Sequence, residues 1–138
     1  MAKDTQLSNL AVNTEADALA ALASGGKVCV YTTPKPATAD IAVTSQLKIA
    51  QLTLNTPAFG AAIAGLLTAT IPGDGVVLDD GVAAWFRVFK ADGSTVLWDG
   101  TCGVTGANMN LAQLTFVKDQ LFTFSSFTHQ VYKAIIGL

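Results

Sequence analysis

VAAWFRVFKADGSTVLWDG, residues 82–100, reads as a β-hairpin around which the remaining chain is arranged. Side chains of a strand alternate between its two faces. Val82, Ala84, Phe86 and Val88 therefore share one face, and Ala83, Trp85, Arg87 and Phe89 share the other. Both faces are apolar except at Arg87, the pattern of a strand covered on both sides. Ala91-Asp92-Gly93-Ser94 supplies the turn, because Asp tolerates a tight reversal and Gly accepts the positive φ of a short hairpin loop. Residues 95–98 return as the partner strand, and Asp99-Gly100 ends it.

A chain of 138 residues fits one domain and is long enough to bury roughly two thirds of its unfolded surface. Hydrophobic residues make up 51% and charged residues 13%, against about 25% charged in an ordinary soluble domain. The exterior must then be largely Thr, Ser, Asn, Gln, Ala and Gly, a surface stripped of water at low cost. This predicts a protein packed against other subunits, whereas a free monomer ordinarily carries more surface charge.

The net charge is −2, Arg87 is the only arginine, and no run of Lys or Arg occurs. Nucleic-acid binding needs a clustered basic patch and is not expected. No apolar run reaches the ~18 residues of a membrane span. The start, MAKDTQLSNL, lacks the basic-then-apolar order of a signal peptide, which predicts folding in a cytoplasm. Cys29 and Cys102 lie in or beside predicted strands and read as buried, reduced thiols, with a disulfide between them as the alternative. Two cysteines and one distant histidine do not have the spacing of a metal site.

Residues 1–6 form a short polar arm. In the alanine-dense segment 7–24, Leu7, Leu10, Ala11, Ala18, Leu19 and Leu22 recur at helical steps, which predicts an α-helix. Ser8 is its N-cap candidate and Gly25-Gly26 its stop. Thr14 is its weak point, so the regular helix starts at Ser8 or nearer Thr14. Its small-residue surface suits either its own sheet or a neighbouring subunit.

Segment 27–33, KVCVYTT, predicts a strand, and Pro34 and Pro36 make 34–40 a loop. Segment 47–54, LKIAQLTL, changes its inside face near Ala50-Gln51, which predicts a bulge or a strand crossing between sheets. Segment 55–65 reads as a loop or one helical turn, with Phe59 plugging the core. Residues 66–71 and 76–78 read as strands, separated by the turn 72–75 and closed by the turn 79–81. After the hairpin come a connection at 101–110, an alternating strand at 111–117 and the longest strand at 121–132, bulged near Ser125-Ser126. Segment 133–138 is a tail whose apolar end either docks on the domain or reaches a partner.

About seven or eight short strands with regular turn signals predict a mainly β chain, a β-sandwich or jelly roll with one N-terminal α-helix. The expected parts are an arm and helix (1–26), a β-sandwich (27–133) and an apolar tail (134–138).

The search for chemistry leaves little. His129, the only histidine, lies mid-strand; Ser125 and Ser126 are near in sequence but carry no catalytic signature, and it reads as a structural or hydrogen-bonded surface histidine. Asp74, Asp79 and Asp80 do not have calcium-loop spacing, and the glycines lack the strand–helix context and lysine of a phosphate cradle. The expectation is a non-enzyme with no cofactor and no metal. Trp98 reads as core or as an interface anchor, since tryptophan is favoured at buried contact centres. The candidate interface residues are Leu7, Leu10, Leu19, Leu22, Trp98, Ile135, Ile136 and Leu138.

Six stretches, taken in order, carry a resemblance: ADALAALASGG (16–26), KVCVYT (27–32), PATAD (36–40), LTLNTPAFGAA (52–62), AAWFRVFKADGSTVLWDG (83–100) and SSFTH (125–129). Together they resemble small virion structural proteins of tailed bacteriophages. The resemblance implies a jelly-roll-like particle protein of the capsid decoration, or cement, type. Its partners would be the major capsid protein and further copies of itself, with no nucleic acid and no membrane. It would sit on the capsid surface of a virion assembled in the bacterial host cytoplasm. The resemblance supplies no catalytic residues. A head–tail connector or tail structural protein is the alternative, and a carbohydrate-binding β-sandwich, which would display exposed aromatics, is a further one. The two cysteines and the apolar end depart from the resemblance.

Overall fold

A computed structural model describes residues 4–136. The chain runs β1 (Asp4–Gln6), α1 (Asn9–Ala23), β2 (Lys27–Tyr31), β3 (Lys48–Thr53), β4 (Leu66–Thr68), β5 (Gly75–Val77) and β6 (Gly81–Val82). It continues through β7 (Trp85–Phe89), β8 (Val96–Gly103), β9 (Met109–Asn110), β10 (Thr115–Phe116), β11 (Leu121–Phe122), β12 (Ser126–Gln130) and β13 (Ala134–Ile136). The fold is mainly β, with 38% strand and 12% helix, one helix near the N-terminus and a curled, sandwich-like sheet.

Nine strands form that sheet in the order β11-β5-β3-β2-β7-β8-β9-β12-β4. All neighbours are antiparallel except β8 and β9, which run parallel. The curl brings β12 over β7: the Phe127 and Phe86 rings meet edge-on with centroids 5.0 Å apart. The hairpin β7–β8 lies at the centre of the sheet, with Phe86 and Val88 on the inner face and Trp85 and Arg87 on the outer, all four buried. Gly100 stands opposite Phe86 in this hairpin, and a Cβ there would lie 2.3 Å from the Phe86 ring. Only glycine lets the ring lie flat across the strand.

The helix starts at Asn9, not near Thr14. Ser8 caps it, its Oγ accepting from the Ala11 N–H at 3.1 Å, and Gly25 ends it with φ +67°. Val12, Ala16, Ala20 and Ala23 are its buried stripe. Two polar helix residues hold the turn before β4: Asn13 Oδ1 accepts from Gly65 N–H at 2.8 Å and Asp17 Oδ1 from Ala62 N–H at 2.9 Å. The inner face of the helix therefore belongs to its own domain.

Several expectations need correction. Thirteen strands are present among the described residues, not seven or eight, because many are only two or three residues long. Segment 121–132 is split: β11 pairs with β5 and β12 with β9 and β4, with Phe124 buried between them. Of 111–117 only Thr115–Phe116 is strand, pairing with β6. The expected change of inside face in β3 is present as a bulge at Ile49, next to Ala50, where Val30 pairs with Ala50 and Tyr31 with Lys48. Within the polar arm and the tail, Asp4–Gln6 and Ala134–Ile136 are strands: β1 pairs antiparallel with β13, Thr5 opposite Ile135 and Asp4 opposite Ile136.

Candidate interaction surface

The outer face of the sheet divides into a roofed half and a bare half. One row of paired residues crosses both: Leu121–Val76–Gln51–Cys29–Arg87–Asp99. Over β2, β7 and β8 the row is covered by residues 32–47. The ends of this loop meet, Thr32 N–H donating to Leu47 O at 3.1 Å and Leu47 N–H to Thr32 Oγ1 at 3.0 Å. Closed surface loops of this kind are packed by their own side chains and are often functional.

The roof is fastened from below. Arg87 grips Asp99 with both arms, Nε to Oδ1 at 2.7 Å and Nη2 to Oδ2 at 2.9 Å, and Nη2 also donates to Ile41 O at 2.7 Å. Trp85 Nε1 donates to Thr32 O at 2.8 Å, while its ring stacks on Tyr31 with centroids 4.6 Å apart. Cys29, Tyr31 and Trp85 form a small second core closed by Val43 of the roof. Among the described residues every buried side-chain nitrogen and oxygen has a partner.

Over β3, β5 and β11 no described residue roofs the sheet in this way, and Val76, Leu78 and Leu121 are exposed. Val76 and Leu121 are direct cross-strand neighbours, 45% and 69% exposed. Leu78 follows Val76 on the same side and is also exposed. A groove of about 440 Å³ runs beside them, lined by Gln51, Thr53, Asp74, Gly75, Val76 and Leu78 among others. None of these residues was an interface candidate in the sequence. The pairing of residue 121 with residue 76 carries no local signal.

The sequence candidates do not form one patch. Leu10 is 79% and Leu22 48% exposed, on the solvent side of α1. Leu19 is half-buried against the main core. Leu7 lines a cleft with Thr5, Glu15, Val131, Tyr132 and Lys133, and its N–H donates to Lys133 O at 2.7 Å. Ile135 and Ile136 lie on β13 beside β1, and Leu138 falls outside the described residues. Trp98 is in the core, 8% exposed, with ring centroids 6.0 Å from Phe59 and 6.2 Å from Phe127. Of its two readings, core packing is the one its burial supports, and it offers no exposed anchor.

The two cysteines are free and lie on opposite faces of the sheet, Cys29 in the roofed core and Cys102 against the main one. Burial raises the Cys29 thiol and pushes Cys102 up to about 12. The thiolate is the reactive form, so neither thiol should be alkylated in the native protein near neutral pH, and both should be after unfolding. Mass spectrometry of iodoacetamide-treated protein checks this; rapid native labelling would contradict it.

His129 lies on β12 with its ring centroid 4.5 Å from that of Trp98. Burial lowers its pKa below the usual 6.5. The unfolded chain then binds a proton at a pH where the folded ring stays neutral. The stability from this neutral ring is complete above about pH 6.5 and is lost as pH falls from there toward the lower folded value. His129→Gln should flatten that part of the curve of urea midpoint against pH.

Among the described residues no group of three or more His, Cys, Asp or Glu side chains converges on a metal-sized site, and no helix is long and apolar enough to cross a membrane. No family model, no curated protein and no solved structure matches the chain.

Proposed function

We propose that the protein is a structural protein of a tailed-bacteriophage virion, a decoration or cement protein that binds across major capsid subunits and stabilises the head. The observation that carries this is the exterior. In a chain only 13% charged, large aliphatic side chains stand exposed on the helix (Leu10, Leu22), on the turn it holds (Ile63) and on the bare sheet face (Val76, Leu121). An exterior that is apolar at several separate places suits a protein touching several neighbours at once.

The proposed mechanism needs no chemistry. Contacts made only with the assembled shell stabilise that shell by mass action. Symmetric repetition multiplies a modest contact over every equivalent position. The pairing of β1 with β13 sets residues 4–6 beside residues 134–136, so contact candidates on these segments would act from one place. The carbohydrate-binding reading loses its two strongest stacking groups, since Trp85 and Trp98 are both buried.

The test uses shells lacking this protein and purified chain. Point changes are preferable to deleting the helix, whose inner stripe is core. Wild-type chain should co-sediment with shells and raise their heat resistance, and L10D combined with L22D should weaken both effects while the fold persists. Full binding and full heat protection by that variant would remove α1 from the contact. No binding by wild type would remove the function.

A further inference from the structure

We infer that the bare half of the outer face is a two-fold docking surface for a second copy of this chain. The face has an apolar centre, Val76, Leu78 and Leu121, and differently charged banks. On the β2–β3 side lie Lys27 and Lys48, whose Nζ atoms donate only to neutral partners, Thr53 Oγ1 at 2.9 Å and Gln51 Oε1 at 3.0 Å. On the β5–β11 side lie the exposed acids Asp74, Asp79, Asp80 and Asp119, the last next in sequence to the exposed Lys118. The Lys118 N–H donates to Asp80 Oδ1 and the Asp119 N–H to Val77 O, which ties this turn to the end of β5. Among the described residues the one ion pair is Arg87–Asp99, and these lysines and aspartates have no ion-pair partner there.

The charges also match lengthwise. Lys27 pairs with Thr53, and extending the β3–β5 register sets Asp74 at that end. Lys48 lies at the other end, where the Leu78 and Asp79 N–H groups both donate to Ile49 O. Each end of the face therefore has a lysine on one bank and an aspartate on the other. A two-fold axis running between β3 and β5 lays the acidic bank of one copy on the lysine bank of the next, with Val76 and Leu78 enclosed between the two copies. Two-fold interfaces require this self-complementarity. The apolar centre supplies the attraction, and the charges set the register. A partner basic throughout would leave Lys27 and Lys48 facing like charge.

Sedimentation equilibrium of the full chain tests this. The wild type should be a dimer. V76D combined with L121D should raise the dissociation constant at least about tenfold, with the near-ultraviolet circular dichroism unchanged because both side chains point to solvent. K27E combined with K48E should be monomeric, as should D74K combined with D79K. An equimolar mixture of those two charge variants should regain the dimer, since each then meets its opposite. A monomeric wild type, undiminished association of the V76D and L121D variant, dimers of either charge variant alone, or a mixture that stays monomeric would each overturn the inference.

Discussion

Replacing Arg87 by alanine is expected to cost about 3–5 kcal/mol, because it leaves a buried carboxylate without its counter-charge. The Arg87 and Asp99 side chains are only 4% and 3% exposed. The change removes three hydrogen bonds, two to Asp99 and one to Ile41 O. Asp99→Ala should cost a similar amount by stranding the guanidinium. The double change R87M with D99L should recover most of the loss, since apolar groups of similar size can replace a buried pair. It should not recover all of it, because Ile41 O still lacks its donor. Urea denaturation checks this through a lowered midpoint at an unchanged slope. Limited proteolysis should also find new cleavage within residues 32–47, because the roof has lost its fastening. A cost below about 1 kcal/mol for Arg87→Ala, typical of exposed ion pairs, would mean that the roof is not held this way.

Phe127→Ala should be comparably severe, about 3–5 kcal/mol. Its fully buried ring lies 5.0 Å from Phe86, 5.4 Å from Phe59, 5.5 Å from Phe124 and 6.2 Å from Trp98, centroid to centroid. These partners come from four separate segments, so the ring closes the curl of the sheet. Truncation opens a cavity that none of them can fill alone. Phe127→Leu should cost much less, because most of the volume remains. Leu10→Ala on the exposed side of the helix should stay within about 0.5 kcal/mol of wild type. Equal losses at Phe127 and Leu10 would contradict the placement of the core.

What could be read from the sequence was what neighbouring residues determine. Ser8 and the two glycines after Ser24 bound the helix because capping is local chemistry. The Ala91–Ser94 turn was legible for the same reason: Asp92 accepts from the N–H groups of Ser94 and Thr95 and from the Thr95 hydroxyl. Those bonds hold its carboxyl down to about 2. The apolar pattern on both faces of 85–89 correctly required covers on both sides, but the strand does not run from Val82: Val82 is exposed on β6, and Ala83 packs in the main core while Ala84 packs beside Trp85. The pattern did not reveal that one cover is the loop 32–47, nor that the lone Arg87 is spent on fastening it.

Long-range pairing was not legible. Alternation across 121–132 suggested one strand, but Phe122 and Phe127 serve opposite ends of the sheet, and the chain breaks between them to reach both. The ends 4–6 and 134–136 are short and ordinary in sequence, and they become strands only by meeting each other. The bare face was missed for a similar reason. Val76 and Leu121 look like core residues in isolation, and only the register shows them side by side and exposed.

The central claim is that this ion-poor exterior is made to be covered by the shell of a particle. The most direct measurement is the saturating copy number of purified chain on intact shells that lack it, read by quantitative gel densitometry after sedimentation. The account predicts saturable binding at a copy number on the scale of the shell subunits themselves. Binding confined to a single ring's worth of copies, or a chain that stays free in solution beside intact shells, would contradict it.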